Sequence, residues 1–222
     1  MDNFIQEIDE DIRRDRHMAL WRKYGRFVVA LALVVVIAAA ATVAWRHYRA
    51  AERLKDSMSY NAALAVLAGQ PQGEAPEAVL QVLRAIGYSA SDSYAVLARL
   101  QEAAILTRSG KPEAAAAVYD ALAAEPGIDS IFRELAVLLR VQVMFDKDDT
   151  AALTGRLAPM TAGSSSAWRH SALELTALLA QRAGDVTKAR DIYTTLADDP
   201  TTPRQMRGRA AEMLAVLGAA NG

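Results

Sequence analysis

The sequence predicts an all-α protein, with a single transmembrane helix followed by an α-solenoid of about four helical hairpins and a capping helix. Three observations lead to this fold class. One early segment is uncharged for 19 residues, turn and alanine positions recur every 37 residues beyond it, and no segment shows the sustained alternation typical of strands. The 222 residues are 52% apolar and 23% charged, which indicates a folded chain and not a disordered one.

The uncharged segment covers residues 27–45 and lies between Arg26 and Arg46. A helix of this length extends about 28 Å, close to the roughly 30 Å hydrocarbon core of a bilayer. Lipid offers no hydrogen-bond partners to the backbone, so a helix is the expected form. Aromatic residues flank the segment as they do in interfacial belts, at Trp21, Tyr24, Trp45 and Tyr48. The sequence therefore predicts a transmembrane helix with these four residues at the membrane interface.

Residues 1–26 are predicted to be a cytoplasmic tail. They carry six Arg and Lys residues against four in residues 46–55, and the positive-inside rule then places the N-terminus in the cytoplasm. The apolar side chains of the tail share one helical face, which predicts a short amphipathic helix: Phe4, Ile5, Ile8 and Ile12. Docking to a membrane surface or a partner is one interpretation of this helix, and a solvated lead-in to the span is the other.

A cleaved signal peptide is the main alternative to a retained anchor, because Thr42, Val43 and Ala44 offer small residues near a cleavage point. Two features favour the anchor. The residues before the span carry six acidic side chains, and the apolar run is longer than the usual h-region of about 7–15 residues. Cleavage after Ala44 would instead release a soluble repeat protein.

A 37-residue repeat organises the chain beyond the span. Four turn positions are separated by this interval: Gly73, Gly110, Lys147 and Gly184. An alanine follows five residues after each of them: Ala78, Ala115, Ala152 and Ala189. The second and fourth units match best, with Tyr119 aligned to Tyr193 and Pro126 to Pro200. In each unit, glycine permits the left-handed turn between the two helices, and the small alanine lets the helices approach closely. Tyrosine fills the groove against the next unit, and proline ends the second helix.

Each unit is predicted to form two antiparallel helices. The first helices span residues 48–68, 92–108, 130–145 and 166–182, and the second helices span residues 75–86, 111–124, 149–160 and 185–197. A last helix near residues 203–217 closes the array. Hairpins of this size cannot bury their apolar faces alone, so we expect them to stack into a solenoid.

The order of Gly, Ala, Tyr, Leu and Pro in these units resembles the second half of a tetratricopeptide repeat. The units depart from that pattern in three ways. The period is 37 residues instead of 34, Arg99 and Glu102 stand in place of the signature Trp and Leu, and Arg156 occupies the aromatic position of the third unit.

The whole arrangement of tail, span and four-unit array, with segments such as residues 94–100 and 183–190, resembles the YfgM-type ancillary subunits of the bacterial SecYEG translocon. This resemblance implies a single-pass protein of the bacterial inner membrane with residues 46–222 in the periplasm. It also implies an interaction domain beside the channel that assists the handover of exported proteins to chaperones. The implied partners are Sec translocon components, periplasmic chaperones or emerging polypeptides.

No recognisable catalytic, cofactor-binding or metal-binding motif occurs in the sequence. The three histidines are far apart in the predicted topology, and the absence of cysteine removes thiol nucleophiles and Cys-based zinc sites. An acidic cluster at Asp146, Asp148 and Asp149 lacks the Gly and Glu of a calcium loop, so a solvated turn is expected. The net charge of −1 gives no basic field for nucleic acid. We therefore predict a non-enzyme without cofactor, metal or nucleic acid, with an envelope enzyme of unrecognised site as the alternative.

Four residues are the candidate partner-binding positions: Arg108, Arg182, Tyr94 and Trp168. The two arginines hold equivalent places at the ends of first helices, which line the concave surface of such solenoids, and they are predicted to hold a carboxylate of a peptide. The alternative for them is a favourable interaction with the helix dipole. The two aromatic residues are also equivalent, and their alternative role is packing between units.

Overall fold

The structure is a computed structural model that describes residues 2–69, 76–89, 93–163 and 165–219. These residues form nine helices and no strand, which confirms the all-α prediction. In chain order the helices are α1 (Asp2–Ala68), α2 (Glu77–Ser89), α3 (Ser93–Arg108), α4 (Pro112–Ala124), α5 (Ser130–Val143), α6 (Thr150–Thr161), α7 (Arg169–Arg182), α8 (Val186–Asp198) and α9 (Arg204–Ala219). The chain divides into two compact units, Met1–Lys55 and Asp56–Gly222, with the boundary inside α1.

The first unit is helical, and the apolar side chains described in its span are exposed. Every residue from 29 to 50 is exposed, including the Val and Leu side chains of the predicted span. Among the described residues, one helix is long and apolar enough to cross a membrane, over Val29–Ala68, with a mean hydropathy of 2.2 in its most apolar window. The tail backbone is helical, whereas its predicted apolar face and Trp21 lie outside the residues whose side chains are described.

The second unit contains the predicted hairpins and capping helix. The end of α1 shares an apolar cluster with α2 and α3, which includes Ala63 of α1 and Leu83 of α2. The pairs α3/α4, α5/α6 and α7/α8 follow, and α9 packs against α8. The segment predicted as a separate helix at residues 48–68 is instead the last part of α1. Four apolar clusters run along this array, and each is built from neighbouring helices. A core divided in this way is expected of an array whose hairpins contact only their neighbours.

The turns of the second and fourth hairpins have the predicted glycine conformation. Gly110 has a φ of 71° and Gly184 a φ of 78°, in the left-handed region that a side chain disfavours. Each turn has three residues between its helices, whereas the third hairpin has six, Met144 to Asp149, and Lys147 has no positive φ. Gly73, the turn position of the first hairpin, lies outside the described residues.

The helix ends and aromatic positions of the best-matched units also agree with prediction. α4 and α8 each end two residues before a proline, Pro126 and Pro200. Tyr119 and Tyr193 are buried between neighbouring units, and this burial raises the pKa of both phenols. The second and fourth hairpins are therefore built as the repeat predicts.

The alanine prediction is wrong in the other two hairpins. Ala115 and Ala189 are fully buried, but Ala78 and Ala152 are exposed. The reason is a change in register, because successive second helices begin at residues 77, 112, 150 and 186, at intervals of 35, 38 and 36 residues. The fourth residue of each helix faces the core, and in α6 that residue is Leu153.

The same register change corrects the aromatic position of the third unit. Tyr119 and Tyr193 are the eighth residues of α4 and α8, and the eighth residue of α6 is Leu157. Leu157 is fully buried, whereas Arg156 is exposed and pairs with Asp120. The third unit thus keeps an apolar residue at this place, one position later than the 37-residue interval predicts.

Candidate interaction surfaces

Three side chains at the predicted partner-binding positions join neighbouring units. The Tyr94 hydroxyl donates to Ser57 Oγ at 3.0 Å, the Trp168 indole donates to the carbonyl of Ile131 at 2.8 Å, and Arg182 Nη1 donates to the carbonyl of Phe145. Each bond links residues that are 37 positions apart. The repeat interval is therefore visible in the structure as hydrogen bonds between equivalent places in successive units. Packing between units, the alternative role for the two aromatic residues, is what these contacts provide.

The four predicted residues do not meet at one place. Tyr94 and Trp168 are at the starts of α3 and α7, while Arg108 and Arg182 are at their ends. A helix of this length separates its two ends by roughly 20 Å at 1.5 Å per residue. Arg108 is exposed and has no hydrogen bond with the described residues, so only Arg182 of the two arginines is held in place.

Arg182 stabilises the long turn of the third hairpin. Its Nη2 donates to the carbonyl of Asp148 at 3.0 Å, and its guanidinium lies 5.6 Å from the centre of the Phe145 ring.

We expect Arg182→Ala to lower the free energy of unfolding by about 1 kcal/mol, since the turn loses a charged donor at a partly solvated site. Arg108→Ala is the matched control, with a change within about 0.5 kcal/mol. Thermal unfolding of the full chain in detergent measures both, and equal changes would contradict this role.

Two of the three aspartates in the acidic cluster of this turn, Asp148 and Asp149, are bonded to the protein, while Asp146 is exposed. Asp148 lies 2.5 Å from Arg140 Nη1, and Asp149 accepts a hydrogen bond from the amide of Ala152 at 3.0 Å as the N-cap of α6. No group of three metal-ligating side chains occurs in the part of the chain that the structure describes. These aspartates therefore hold the turn and the start of α6.

Arg99 and Glu102, which depart from the repeat signature, are buried, and each has its own polar partners. Arg99 Nε donates to the carbonyl of Gly87 at 2.6 Å and its Nη1 pairs with Glu125. Arg84 Nε donates to Glu102 at 2.7 Å, and this bond raises the pKa of Arg84. A Cβ on Gly87 would lie 2.9 Å from Arg99 Cγ, so glycine permits this close approach. Polar bonds thus join α2, α3 and α4 where apolar packing is usual.

A Thr201, His170 and Asp199 cluster is the arrangement closest to a catalytic group in the described chain. His170 Nε2 lies 3.3 Å from Thr201 Oγ1 and 3.4 Å from Asp199 Oδ2, while the Thr201 hydroxyl donates to Asp199 at 2.6 Å. A nucleophilic triad needs one ring nitrogen on the hydroxyl and the other on the carboxylate, which this geometry does not provide. The bonds from the Thr201 hydroxyl and amide, then from His170, lower the pKa of Asp199 to about 2. The cluster therefore fixes the end of α8.

A half-open groove of about 250 Å³ lies between α4, α5 and α6. Its lining includes Ala123, Arg133, Val137, Arg156, Pro159 and Met160. None of the four predicted partner-binding residues lines it. Sequence reasoning did not identify Arg133 as a groove-lining residue. The sequence does place it on the same helical face as Val137, because the two are four positions apart.

The third hairpin opens this groove because its helices pack less closely than the other pairs. α5 and α6 contact each other less extensively than α3 and α4 or α7 and α8 do, and they are joined by the longer turn. Pro159 lies inside α6 and has no amide to donate to the carbonyl of Gly155. Turn length and proline together distinguish this hairpin from its neighbours.

The charges around the groove are satisfied except at Arg133. Arg156 Nη1 donates to Asp120 at 2.7 Å, and Glu134 accepts a bond from Ser166 Oγ at 2.6 Å. Arg133 Nε is buried and has no hydrogen bond with the described residues. Buried guanidinium donors are normally bonded, whereas this Nε is an unbonded donor that solvent does not reach.

The comparison with protein families bears on the whole array. The family model described as tetratricopeptide repeat-like domain matches residues 18–208. The chain belongs to this family. The match covers most of the chain, and a domain of this kind is a protein–protein interaction scaffold, typically without catalytic activity. No significant match was found among curated proteins or among solved structures.

Proposed function

We propose that this tetratricopeptide repeat-like protein is a single-pass scaffold of the bacterial inner membrane that serves as an accessory subunit of the Sec translocon. The observation that carries the proposal is the combination, in one chain, of an uncovered apolar helix and a repeat array with its own core. A scaffold of this kind keeps a protein-binding domain at a membrane without any catalytic site of its own.

The exposed surface of α1 supports the membrane part of the proposal. Soluble monomers rarely expose contiguous apolar patches beyond a few hundred Å². Residues 29–45 are all exposed and almost all apolar, so they form a continuous apolar surface along about five turns of helix. Lipid tails would cover these apolar side chains, and the helix provides hydrogen bonds to its own backbone N–H and C=O groups. Tyr24, Trp45 and Tyr48 are exposed at the ends of the segment, as interfacial residues would be.

The excess of cations in the tail supports an N-terminus in the cytoplasm and a repeat domain in the periplasm. In that position the array meets polypeptides that leave the channel and the chaperones that receive them. Arg108, Arg182, Tyr94 and Trp168 stay predicted partner-binding residues of this domain, with the contacts described above for three of them.

Single cysteines test this function directly, because the natural chain has none. Gln142 is exposed near the end of α5, and Asn3 lies in the tail. In intact spheroplasts, we expect an impermeant maleimide to label Gln142→Cys, and to label Asn3→Cys only after lysis. A photocrosslinker on Gln142→Cys is expected to recover Sec channel components or periplasmic chaperones from native membranes.

The outcomes separate the alternatives. Labelling of Asn3→Cys from outside would reverse the topology, and a mature chain that begins at Trp45 would indicate release by cleavage after Ala44. Recovery of neither channel components nor chaperones would contradict the translocon role, whatever the topology.

A further inference from the structure

We propose that Arg46 and Arg49 form a binding site for the phosphate headgroup of an anionic phospholipid, at the end of the span that leads to the repeat array. The inference rests on the proposed function, since it takes residues 27–45 as a membrane span. It goes further by naming a lipid ligand, whereas the scaffold role concerns proteins alone.

The flank that carries these arginines is basic although it is proposed to lie outside the cytoplasm. Residues 46–55 hold four Arg and Lys residues and one acidic residue, Glu52. Cations are normally concentrated on the cytoplasmic side of a span, so a group of them on the other side needs a local reason. Anionic headgroups provide that reason, because they attract cations held at the membrane surface.

Both arginines lie at the depth of the lipid headgroups. At 1.5 Å per residue, Arg46 and Arg49 are about 1.5 Å and about 6 Å beyond Trp45, the last residue of the apolar segment. The headgroup layer is roughly 5–7 Å deep on each side of the hydrocarbon core. Side chains on a helix lean towards its N-terminus, so on this flank they lean back towards the bilayer. The two guanidinium groups therefore lie among the phosphates and not in the water beyond them.

The described contacts position Arg49 and leave its donors free. Its guanidinium carbon lies 5.1 Å from the centre of the Trp45 ring, and that ring stacks against Tyr48 with the centres 6.4 Å apart. A cation–π contact uses the ring face and takes up no N–H donor. Glu52, the acidic residue of this flank, is hydrogen-bonded to the Tyr48 hydroxyl. Within the part of the chain that the structure describes, neither Arg46 nor Arg49 forms an ion pair.

The spacing of the two arginines suits a phosphate group. Residues three positions apart are neighbours on one helical face, with about 5–6 Å between their Cβ atoms. Guanidinium groups bind phosphate oxygens through parallel N–H bonds, and they are less strongly hydrated than an ammonium group. A zwitterionic headgroup carries its own cation, which competes with arginine for the phosphate. The expected ligand is therefore a phospholipid whose headgroup has a net negative charge.

Trp45 lies beside this site and reports on the lipids around it. The test uses the full chain with Trp21→Phe, in vesicles of phosphatidylcholine and phosphatidylglycerol in which one of the two lipids carries brominated acyl chains. Bromine quenches tryptophan fluorescence at the membrane, so exchanging the labelled lipid gives the relative affinity of the two lipids at Trp45. A chain with Trp21→Phe and Trp45→Phe gives the contribution of Trp168, which is subtracted. We expect phosphatidylglycerol to be preferred at least about fivefold at low ionic strength, the factor expected of one well-placed cation.

Two double variants, made in the Trp21→Phe chain, locate the site. Arg46→Gln with Arg49→Gln should reduce the preference almost to one, since both guanidinium groups are lost. Arg53→Gln with Lys55→Gln is the matched control, because it removes the same charge from positions about 12–15 Å beyond Trp45. The control should keep most of the preference. Arg46 and Arg49 are exposed, so circular dichroism should show the same helix content in every variant.

Three results would overturn the inference. These are equal affinity for the two lipids, a preference that persists without Arg46 and Arg49, and an equal loss in the matched control, which would indicate a diffuse surface potential. Millimolar inorganic phosphate at constant ionic strength should leave the preference unchanged. Its loss would mean that the two arginines bind free phosphate and not a lipid headgroup.

The result is separable from the test of the proposed function. If the two lipids are not distinguished while Gln142→Cys still crosslinks to channel components or chaperones, the scaffold role stands and the lipid site is wrong. If the preference depends on Arg46 and Arg49 while no such partner is recovered, the lipid site stands and the translocon role is wrong.

Discussion

Replacing both Val35 and Val36 with aspartate is expected to abolish membrane integration of the chain. The two residues lie near the middle of the span and are 59% and 66% exposed, so the described part of the chain does not shield the new charges. An aspartate at the centre of a membrane helix costs about 2.5–3.5 kcal/mol, and each loses a favourable valine as well. The pair therefore shifts insertion by about 6 kcal/mol or more, roughly a factor of 10⁴.

Alkaline carbonate extraction measures this change, as the fraction of the chain that stays with the membrane pellet. The unsubstituted chain and a Val35→Leu, Val36→Leu variant should remain in the pellet, since leucine is at least as apolar as valine. Retention of the double aspartate variant in the pellet would show that α1 is not what holds the chain at the membrane.

Leu157→Ala is expected to lower the free energy of unfolding of the repeat array by about 2–5 kcal/mol. Leu157 is fully buried in a cluster with Leu153, Val141 and Leu179, which come from three successive helices. Truncation removes apolar contacts and leaves a cavity that the neighbouring helices fill only in part. Because α6 packs mainly against α5 and α7, we expect the third hairpin to loosen before the rest of the array.

The adjacent residue is the matched control. Arg156 and its partner Asp120 are each about 40% exposed, and solvent-exposed ion pairs contribute about 0–1 kcal/mol. Near-UV circular dichroism of the full chain in detergent, followed through thermal unfolding, compares the two variants. The 37-residue interval places Arg156 at the aromatic position, so a larger loss for Arg156→Ala would favour that register over the one seen here.

The groove and the core share the third hairpin. Leu157 packs inward from α6, Arg156 and Pro159 line the groove, and Met160 belongs to both. A substitution at Met160 therefore changes the core and the groove wall together.

Much of the fold is predictable because it depends on local chemistry. The positive φ of Gly110 and Gly184 and the helix ends before Pro126 and Pro200 follow from residue types at fixed offsets. The register of α6 is not predictable in this way. It depends on a turn without glycine, whose length shifts the core-facing positions by one residue.

The candidate site is less predictable than the fold. Arg182 and Trp168 are recognisable as equivalent, conspicuous residues, yet the acceptors that hold them lie 37 positions away, on the preceding unit. The groove itself, with Arg133 in its lining, can be identified only when α4, α5 and α6 have been placed beside one another.

The sequence by itself determined the membrane-spanning length of the apolar segment, the all-α class and the tetratricopeptide-like array, since each depends on periodicity and composition along the chain. Only the tertiary structure decided which residues face the core in the third hairpin and where a groove opens. The physical reason is that burial and hydrogen bonding depend on neighbours brought together by stacking. Arg133 and Pro159 line the same groove although 26 positions of chain separate them.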